Sequence, residues 1–219
     1  MTADVAGRIA GYFDNRFLRT YTRSKLRNDP AYRAVLERLR ESTVPLYDIG
    51  CGVGLLEFYL REHGVECAMT GIDHDERKIA KAQSIGSRYA ELEFRTGDAR
   101  DPVPAGTNAV LLDVLHYFTA ADQQHILENV AQSGGELVLI REAVRDRTIR
   151  YRLTAVQERF SRAIGWLRAE RLNFPAADDV MRPFRQRGYR VDVEPMWGRT
   201  PFNNYLFVFR RSTAGITKR

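Results

Sequence analysis

A glycine-rich run and an acidic residue that follows it carry the clearest chemical signal in this sequence. The run spans residues 48–54 (DIGCGVG), and Asp73 lies 19 residues after Gly54. Closely spaced glycines let a chain turn sharply and let a ligand approach the backbone amides without a Cβ in the way. A carboxylate at that spacing can accept hydrogen bonds from both hydroxyls of a ribose. The pattern predicts a nucleotide-type ligand, and the alternative is a plain strand-to-helix turn.

Two common nucleotide motifs do not fit the run. A dinucleotide fingerprint, GxGxxG, would place its third glycine at position 55, which is Leu55. A P-loop needs Gly-Lys-Ser/Thr, whereas residues 53–55 read VGL. Cys51 is expected to be a small loop residue and not a nucleophile, because no histidine or other base stands near it in the motif.

The remaining pattern, D-x-G-x-G-x-G, resembles the first motif of the class I S-adenosylmethionine (SAM)-dependent methyltransferases. Segments that resemble the later motifs of this family follow in the same order at 71–73 (GID), 97–100 (GDAR), 112–117 (LDVLHY) and 133–137 (SGGEL). The resemblance spans roughly residues 44–141. It implies an enzyme that uses SAM as its cofactor.

The resemblance also implies roles at the matching positions. Gly50 and Gly52 would face the methionine part of SAM, Asp48 would help to bind or shape that pocket, and Asp73 would hold the ribose. The other implied cofactor residues, which would surround the adenine or contact the amino-acid portion, are Gly54, Ile72, His74, Asp98, Ala99 and Asp113.

The acceptor of the methyl group is expected to meet residues just beyond the fourth predicted strand. His116 and Tyr117 lie there, and His116 is the candidate general base because histidine titrates near neutral pH. Methyl transfer depends mainly on alignment of the acceptor, and a hydroxyl acceptor also needs a group that takes its proton. A Leu-His pair without a catalytic role is the alternative.

Candidate substrate-binding residues come from the N-terminal segment, from the ends of the later strands and from the last turn. They are Tyr12, Tyr21, Lys25, Tyr117, Arg141 and Asn203. Each has a structural alternative: Arg141 can pair with Glu142, and Asn203 can stabilise its own turn. Residues 113–116 (DVLH) do not resemble the Asn/Asp-Pro-Pro-Tyr/Phe signature of enzymes that methylate exocyclic amino or amide nitrogens.

A second resemblance concerns the flanking segments. Residues 25–32 (KLRNDPAY) and 198–205 (GRTPFNNY) are similar to methyltransferases of bacterial aryl polyene pigment clusters. This similarity implies methylation of a hydroxyl or a ring carbon of a small hydroxyaryl molecule, free or bound to an acyl carrier protein. The alternatives are an RNA methyltransferase and a non-catalytic module that binds a nucleotide.

The elements that must position these groups alternate along the chain. Strands are predicted at 44–49, 67–73, 92–95, 109–115, 136–140, 190–194 and 205–210. Helices are predicted at 5–21, 30–40, 55–63, 76–85, 121–132, 149–171 and 175–187. This alternation indicates an α/β fold with a Rossmann-like, seven-stranded, mostly parallel sheet, helices on both faces, the last strand antiparallel and a helical cap.

The domain boundaries follow from the same pattern. Residues 1–43 are expected to form an N-terminal helical cap segment, and residues 44–210 the methyltransferase domain. Residues 142–188 would insert a helical lid into that domain, with one apolar stripe along 149–167 docked on its body. Residues 211–219 would form a flexible tail.

Composition and charge narrow the class of protein. The 219 residues are 44% hydrophobic and 28% charged, as in globular proteins, with two cysteines and a net charge of +6. No apolar stretch is long enough to cross a bilayer, no metal site is expected, and the chain reads as cytoplasmic.

Thirteen arginines, no lysine and six acidic residues fall in 141–190. This basic segment can meet an acidic carrier protein, nucleic acid or an anionic membrane, or simply be solvated, and nucleic acid is the less favoured partner.

Overall fold

One mixed sheet organises the structure, a computed structural model that describes residues 4–145, 172–197 and 203–211. Its strands are β1 (Leu46–Ile49), β2 (Met69–Asp73), β3 (Leu92–Thr96), β4 (Asn108–Leu112), β5 (Leu137–Ala143), β6 (Tyr189–Pro195) and β7 (Asn204–Arg211). The spatial order is β3-β2-β1-β4-β5-β7-β6. Strands β1 to β5 run parallel, and β7 is antiparallel to both β5 and β6. The predicted fold class is confirmed.

Helices connect the strands and cover the sheet. They are α1 (Val5–Gly11), α2 (Arg16–Asn28), α3 (Pro30–Leu39), α4 (Leu55–Glu62), α5 (Glu76–Gly86), α6 (Ala120–Gln132) and α7 (Ala177–Gln186). A short 3-10 turn, Leu115–Tyr117, precedes α6. None of the helices in the described ranges is long and apolar enough to span a membrane.

Two apolar cores lie on the two faces of the sheet, because alternate side chains of a strand point to opposite faces. On one face, Leu46, Val110 and Leu139 pack with the helices α1, α3, α4 and α5. On the other face, Leu111 and Ile140 pack with α6 and α7. The central strands β1, β4 and β5 are therefore buried on both sides, which explains their nearly continuous apolar sequences.

The helix predicted at 5–21 is two helices in the structure. The side chain of Asp4 accepts a hydrogen bond from the amide of Gly7 and begins α1. The side chain of Asn15 accepts from the amides of Phe17 and Leu18 and begins α2. A side chain that caps free amides starts a new helix, so the prediction of one continuous helix was wrong.

Two strand ends also differ from the prediction. Strand β4 ends at Leu112 and not at residue 115, because Asp113 adopts the left-handed conformation with a φ of 62°. Strand β5 extends to Ala143, so that Arg141 and Glu142 lie within it. The predicted helix at 149–171 lies outside the described residues, and so does the tail from residue 212 onwards.

A polar cluster fastens the N-terminal helices to the domain. Glu62, at the end of α4, accepts hydrogen bonds of 2.6 Å from the hydroxyls of both Tyr12 and Tyr89, and it pairs with Arg8 at 2.7 Å. Burial alone would raise the pKa of Glu62, but these three donors leave that pKa lowered. The ionised carboxylate thus holds α1 against α4.

Replacing Glu62 with alanine is expected to lower the free energy of unfolding by about 1–3 kcal/mol, because two partly buried tyrosine hydroxyls lose their acceptor. A carboxylate with a lowered pKa stabilises the fold above its unfolded pKa, and this stabilisation is lost as the pH falls through the folded value. The wild type should therefore lose more stability on acidification than the variant. Urea unfolding followed by circular dichroism at neutral and acidic pH measures both effects.

The matched control for this experiment is Glu37→Ala, which removes an exposed glutamate paired with Arg33 on the surface of α3. Exposed pairs of this kind contribute little to stability. Equal destabilisation by the two substitutions would show that the cluster at Glu62 does not anchor α1.

Candidate functional site

A cavity of about 890 Å³ opens where the strands β1, β2 and β4 end at their carboxyl ends. Open α/β sheets bind ligands at this edge, where neighbouring connections leave on opposite faces. One half of the cavity is lined by the turns after β1, β2 and β3. The other half is lined by α2 and by the segment after β4.

The glycine loop after β1 takes a shape that other residues resist. Gly50, Gly52 and Gly54 all have positive φ angles, of 81°, 61° and 80°. A Cβ at Gly52 would meet nothing within 4 Å, so the backbone there faces open cavity. A Cβ at Gly54 would approach the ring of Phe94 to 2.7 Å. Gly52 thus leaves room for a ligand, whereas Gly54 is required for packing.

Asp73, the last residue of β2, places a buried carboxylate in the cavity wall. Its two oxygens accept hydrogen bonds from the amides of Gly52, at 3.0 Å, and Asp75, at 2.9 Å. The ammonium of Lys78 lies 3.6 Å away. Each oxygen keeps a further lone pair, so the carboxylate can accept a hydroxyl from a ligand.

Asp98 follows β3 in the same half of the cavity, and Arg100 holds it in place. The guanidinium of Arg100 binds both oxygens of Asp98, at 2.9 and 2.6 Å, and its amide donates to one of them. The hydrogen bonds from Arg100 lower the pKa of Asp98 to about 2. Asp98 is therefore an anion held in place by Arg100, and it can accept a hydrogen bond from an amino group of a ligand.

The turn after β4 is held by a buried arginine. Arg141 of β5 is 4% exposed, and its guanidinium binds Asp29, at 3.1 Å, and Asp113. Lys25 of α2 lies 3.4 Å from Asp29 and 3.8 Å from Asp113. These ion pairs join the helical cap to the ends of β4 and β5.

His116 and Glu142 meet behind the cavity wall. Nδ1 of His116 lies 2.6 Å from Glu142, which is completely buried, and the same carboxylate accepts the backbone amide of His116. A carboxylate only accepts hydrogen bonds, so Nδ1 carries the proton and Nε2 is the basic nitrogen of the neutral ring. The imidazole packs against Tyr117, with ring centroids 4.2 Å apart.

Three acidic groups lie together under the glycine loop. Asp48 of β1 and Glu57 of α4 are both buried, and Glu57 packs against Gly71, the register partner of Asp48 in β2. Each of the two carboxyl groups alters the pKa of the other. Cys51 is buried beside them, and this burial raises the pKa of its thiol far above the usual range. A thiol held neutral is a poor nucleophile, in agreement with the expectation for Cys51.

Most of the sequence-predicted site residues line this one cavity. In the nucleotide half they are Asp48, Gly50, Gly52, Ile72, Asp73, His74, Asp98 and Ala99. In the other half they are Tyr21, Lys25, Asp113 and Tyr117.

Five predicted site residues lie elsewhere among the described residues. Gly54 packs under the loop, and the hydroxyl of Tyr12 bonds to Glu62. Asn203 is buried and donates to the carbonyl of Val144, 3.1 Å away. Arg141 and His116 are also buried, behind the cavity surface. Arg141 does not pair with Glu142, the alternative considered from the sequence, because Glu142 bonds to His116.

Sequence reasoning missed three residues of the site. Arg100 fixes Asp98, Lys78 approaches Asp73, and Glu57 lies against Asp48. A charged residue inside the apolar run 55–60 (LLEFYL) was the available signal for Glu57. Arg100 and Lys78 gave no such signal, because surface helices and turns commonly carry basic residues.

The cavity fits a nucleoside with a charged arm. Gly52 opens the backbone to a ligand, Asp73 can accept ribose hydroxyls, and Asp98 can accept the amino group of adenine. No group of metal-ligating side chains occurs in the described ranges.

Residues 46–133 match the family model described as a methyltransferase domain. No curated protein sequence matches the chain.

Solved structures share the fold at low sequence identity. Magnesium protoporphyrin IX methyltransferase from Synechocystis PCC 6803 with bound SAH superposes with a TM-score of 0.69 at 19% identity, over 95% of this chain and 94% of that one. Human N-acetylserotonin methyltransferase in complex with SAM gives 0.61 at 20% identity, over 83% of this chain and 52% of that one. The [4+2]-cyclase SpnF gives 0.64 at 15% identity, over 94% and 92%.

The sheet order, the glycine loop and the acidic residue after β2 define a Rossmann-like nucleotide-binding fold of the methyltransferase type. Within this fold, residues 46–133 match a methyltransferase domain. The solved structures that share the fold include methyltransferases with bound SAM or SAH. The fold by itself does not name the reaction, since SpnF shares it.

Asp73→Asn is expected to weaken SAM binding about 10- to 100-fold, because a hydrogen bond to a charged acceptor contributes roughly 1.5–3 kcal/mol. Calorimetric titration measures the dissociation constant. The control, Asp192→Asn, alters an exposed residue of β6 that pairs with Arg210. An unchanged constant in the folded Asp73 variant would contradict this role.

Proposed function

We propose that this protein transfers the methyl group of SAM to a hydroxyl oxygen or a ring carbon of a small hydroxyaryl acceptor. The observation that carries the proposal is the second half of the cavity. There the exposed rings of Tyr21 and Tyr117, 42% and 49% exposed, lie on the same cavity wall as Lys25. Aromatic side chains offer stacking surfaces to a flat acceptor, and a lysine ammonium stabilises a phenolate.

In this proposal the nucleotide half of the cavity holds the cofactor. Asp73 accepts the ribose hydroxyls, Asp98 and the amide of Ala99 read the adenine, and Ile72 packs on its ring. The glycine loop receives the amino-acid arm. When bound, SAM supplies an electrophilic methyl group on a positively charged sulfur.

The other half of the cavity aligns the acceptor. A phenolate is nucleophilic at its oxygen and at the neighbouring ring carbons, so loss of one proton prepares both methylation products. Alignment of two reactants in one cavity can replace a large part of the entropic cost of their encounter. Tyr21 and Tyr117 would set this alignment, and Lys25 would favour the ionised acceptor.

His116 is the proposed general base. Its basic nitrogen is Nε2, and the carboxylate of Glu142 stabilises the ring once it has gained a proton. The imidazole lies behind Tyr117. Gln123 holds the 3-10 turn that contains His116 by donating hydrogen bonds to the carbonyls of Leu115 and Phe118. The proton would therefore pass from the acceptor hydroxyl toward the ring beneath Tyr117.

The acceptor is further proposed to arrive either free or bound to an acyl carrier protein. The support is the positive charge of residues 141–190, which is complementary to the negative charge of an acidic carrier protein. The arginines of 149–171 lie outside the described residues, so this part rests on the sequence.

The acceptor proposal is tested with methyl-labelled SAM and matched pairs of aromatic acids. Hydroxybenzoic and hydroxycinnamic acids, free and as carrier thioesters, are expected to gain the label, whereas benzoic and cinnamic acids are not. Mass spectrometry locates the methyl group. Label transferred only to an RNA, with a steep loss at higher salt, would overturn the proposal in favour of an RNA methyltransferase.

Replacing His116 with glutamine is expected to lower kcat about 10²- to 10⁴-fold, as for loss of a general base, with SAM affinity unchanged. Glu142→Gln should lower kcat less and move the acid limb of the pH–rate profile to lower pH, because the protonated ring loses a stabilising charge. An unchanged pH–rate profile in both variants would show that the pair only supports the turn.

A further inference from the structure

We infer that Glu57 and Asp48 form a proton-sharing carboxyl pair beneath the SAM site, and that this pair releases its proton when a cationic ligand binds above it. The inference rests on the proposed place of the cofactor's amino-acid arm at the glycine loop. It assigns Glu57 a role in donor recognition that the motif around Asp48 does not contain.

Geometry gives the first part of the argument. Glu57 is completely buried, and its oxygens receive no hydrogen bond from another described residue. A Cβ added at Gly71 of β2 would lie 2.4 Å from one of these oxygens, and Gly71 is the register partner of Asp48 in β1, so the Glu57 carboxyl group packs beside Asp48. Asp48 is 4% exposed and lies on the cavity surface. One carboxyl group is therefore sealed inside, and the other opens to the ligand.

Electrostatics gives the second part. Two neighbouring buried carboxyl groups cannot both be ionised without a cation between them, and they can share a hydrogen bond only when one keeps a proton. Burial, more than any other cause, raises the pKa of Asp48 to about 7 and that of Glu57 well above its usual value. Near neutral pH the pair thus holds at least one proton.

The surroundings supply little compensation. The ionisable groups that face the pair are Cys51 from the loop, Asp73 from β2 and Tyr32 from α3. All three are neutral or negative at neutral pH. Lys78 of α5, a cation on the same side of the cavity, lies 3.6 Å from Asp73.

A cationic ligand changes this balance. SAM carries an ammonium and a sulfonium, and a positive charge above Asp48 favours the ionised pair. The O–H bond of one carboxylic acid then breaks, its proton passes through the cavity to solvent, and the pair gains one negative charge. SAM should therefore bind more tightly as the pH rises through the titration of the ligand-free pair.

Calorimetry of the full chain measures this proton directly. SAM is titrated at neutral pH in phosphate and in Tris, whose heats of ionisation differ, and the difference in heat gives the protons released. We expect up to one proton for the wild type and a rise in affinity of about tenfold between pH 6 and pH 8. The neutral nucleoside 5′-methylthioadenosine should release none.

The variant Glu57→Gln keeps the shape of the side chain and removes the shared proton, so SAM binding should lose its proton release and its pH dependence. Glu66→Gln changes an exposed residue beyond α4 and serves as the matched control. Equal proton release in the wild type and E57Q would overturn the inference and leave methyl transfer untouched. Proton release without any methylated acceptor would support the pair and count against the proposed function.

Infrared spectroscopy gives a readout that does not depend on the folding of E57Q. The ligand-free wild type at neutral pH should show the C=O band of a protonated carboxylic acid, and SAM should remove it. A band that persists with SAM bound, or that is absent from the ligand-free protein, would overturn the inference.

Discussion

A guanidinium removed from water needs anionic partners, and Arg141 meets this requirement with two carboxylates from distant parts of the chain. Asp29 caps α3, where its side chain also accepts the amide of Ala31. Asp113 ends β4 in a left-handed conformation that costs a residue other than glycine roughly 1 kcal/mol or more. The ion pairs offset this strain and keep the cap over the sheet. Lys25 lies against the same two carboxylates, so this buried cation fixes the place where the cap meets the end of β4.

The two halves of the cavity therefore arise in different ways. The nucleotide half is built from short connections within the β1 to β3 region, where each turn carries its own glycine or acidic residue. The acceptor half is assembled from segments far apart in sequence, α2 and the segment after β4, which meet because Arg141 pairs with both neighbouring elements. Changes to the cap should thus alter the acceptor half while leaving the cofactor half intact.

The same distinction sets how much could be predicted from the sequence. Asp73 was found from its position at the end of a predicted strand and its spacing from the glycine run, and Asp48 and Asp98 were found from local motifs that resemble those of the methyltransferases. The contacts of Arg141 with Asp29 could not be found, because nothing local tells a buried arginine which of many carboxylates it will meet. His116 and Glu142 were both placed at the ends of neighbouring strands, yet their hydrogen bond depends on β5 running past residue 140. The single N-terminal helix was wrong because Asn15 competes for the amides that would continue it.

The placement of β7 between β5 and β6 has a consequence for synthesis of the protein. On a ribosome, β5 emerges more than sixty residues before β7, its antiparallel partner. During that interval the apolar segment 137–140 (LVLI) would present an unpaired edge, the kind of surface from which misassembly starts. A chain that stopped before residue 204 would keep every residue of the glycine loop and still lack the strand that closes the sheet. Complete synthesis, and not only a complete motif, is therefore what yields a stable nucleotide site in this fold.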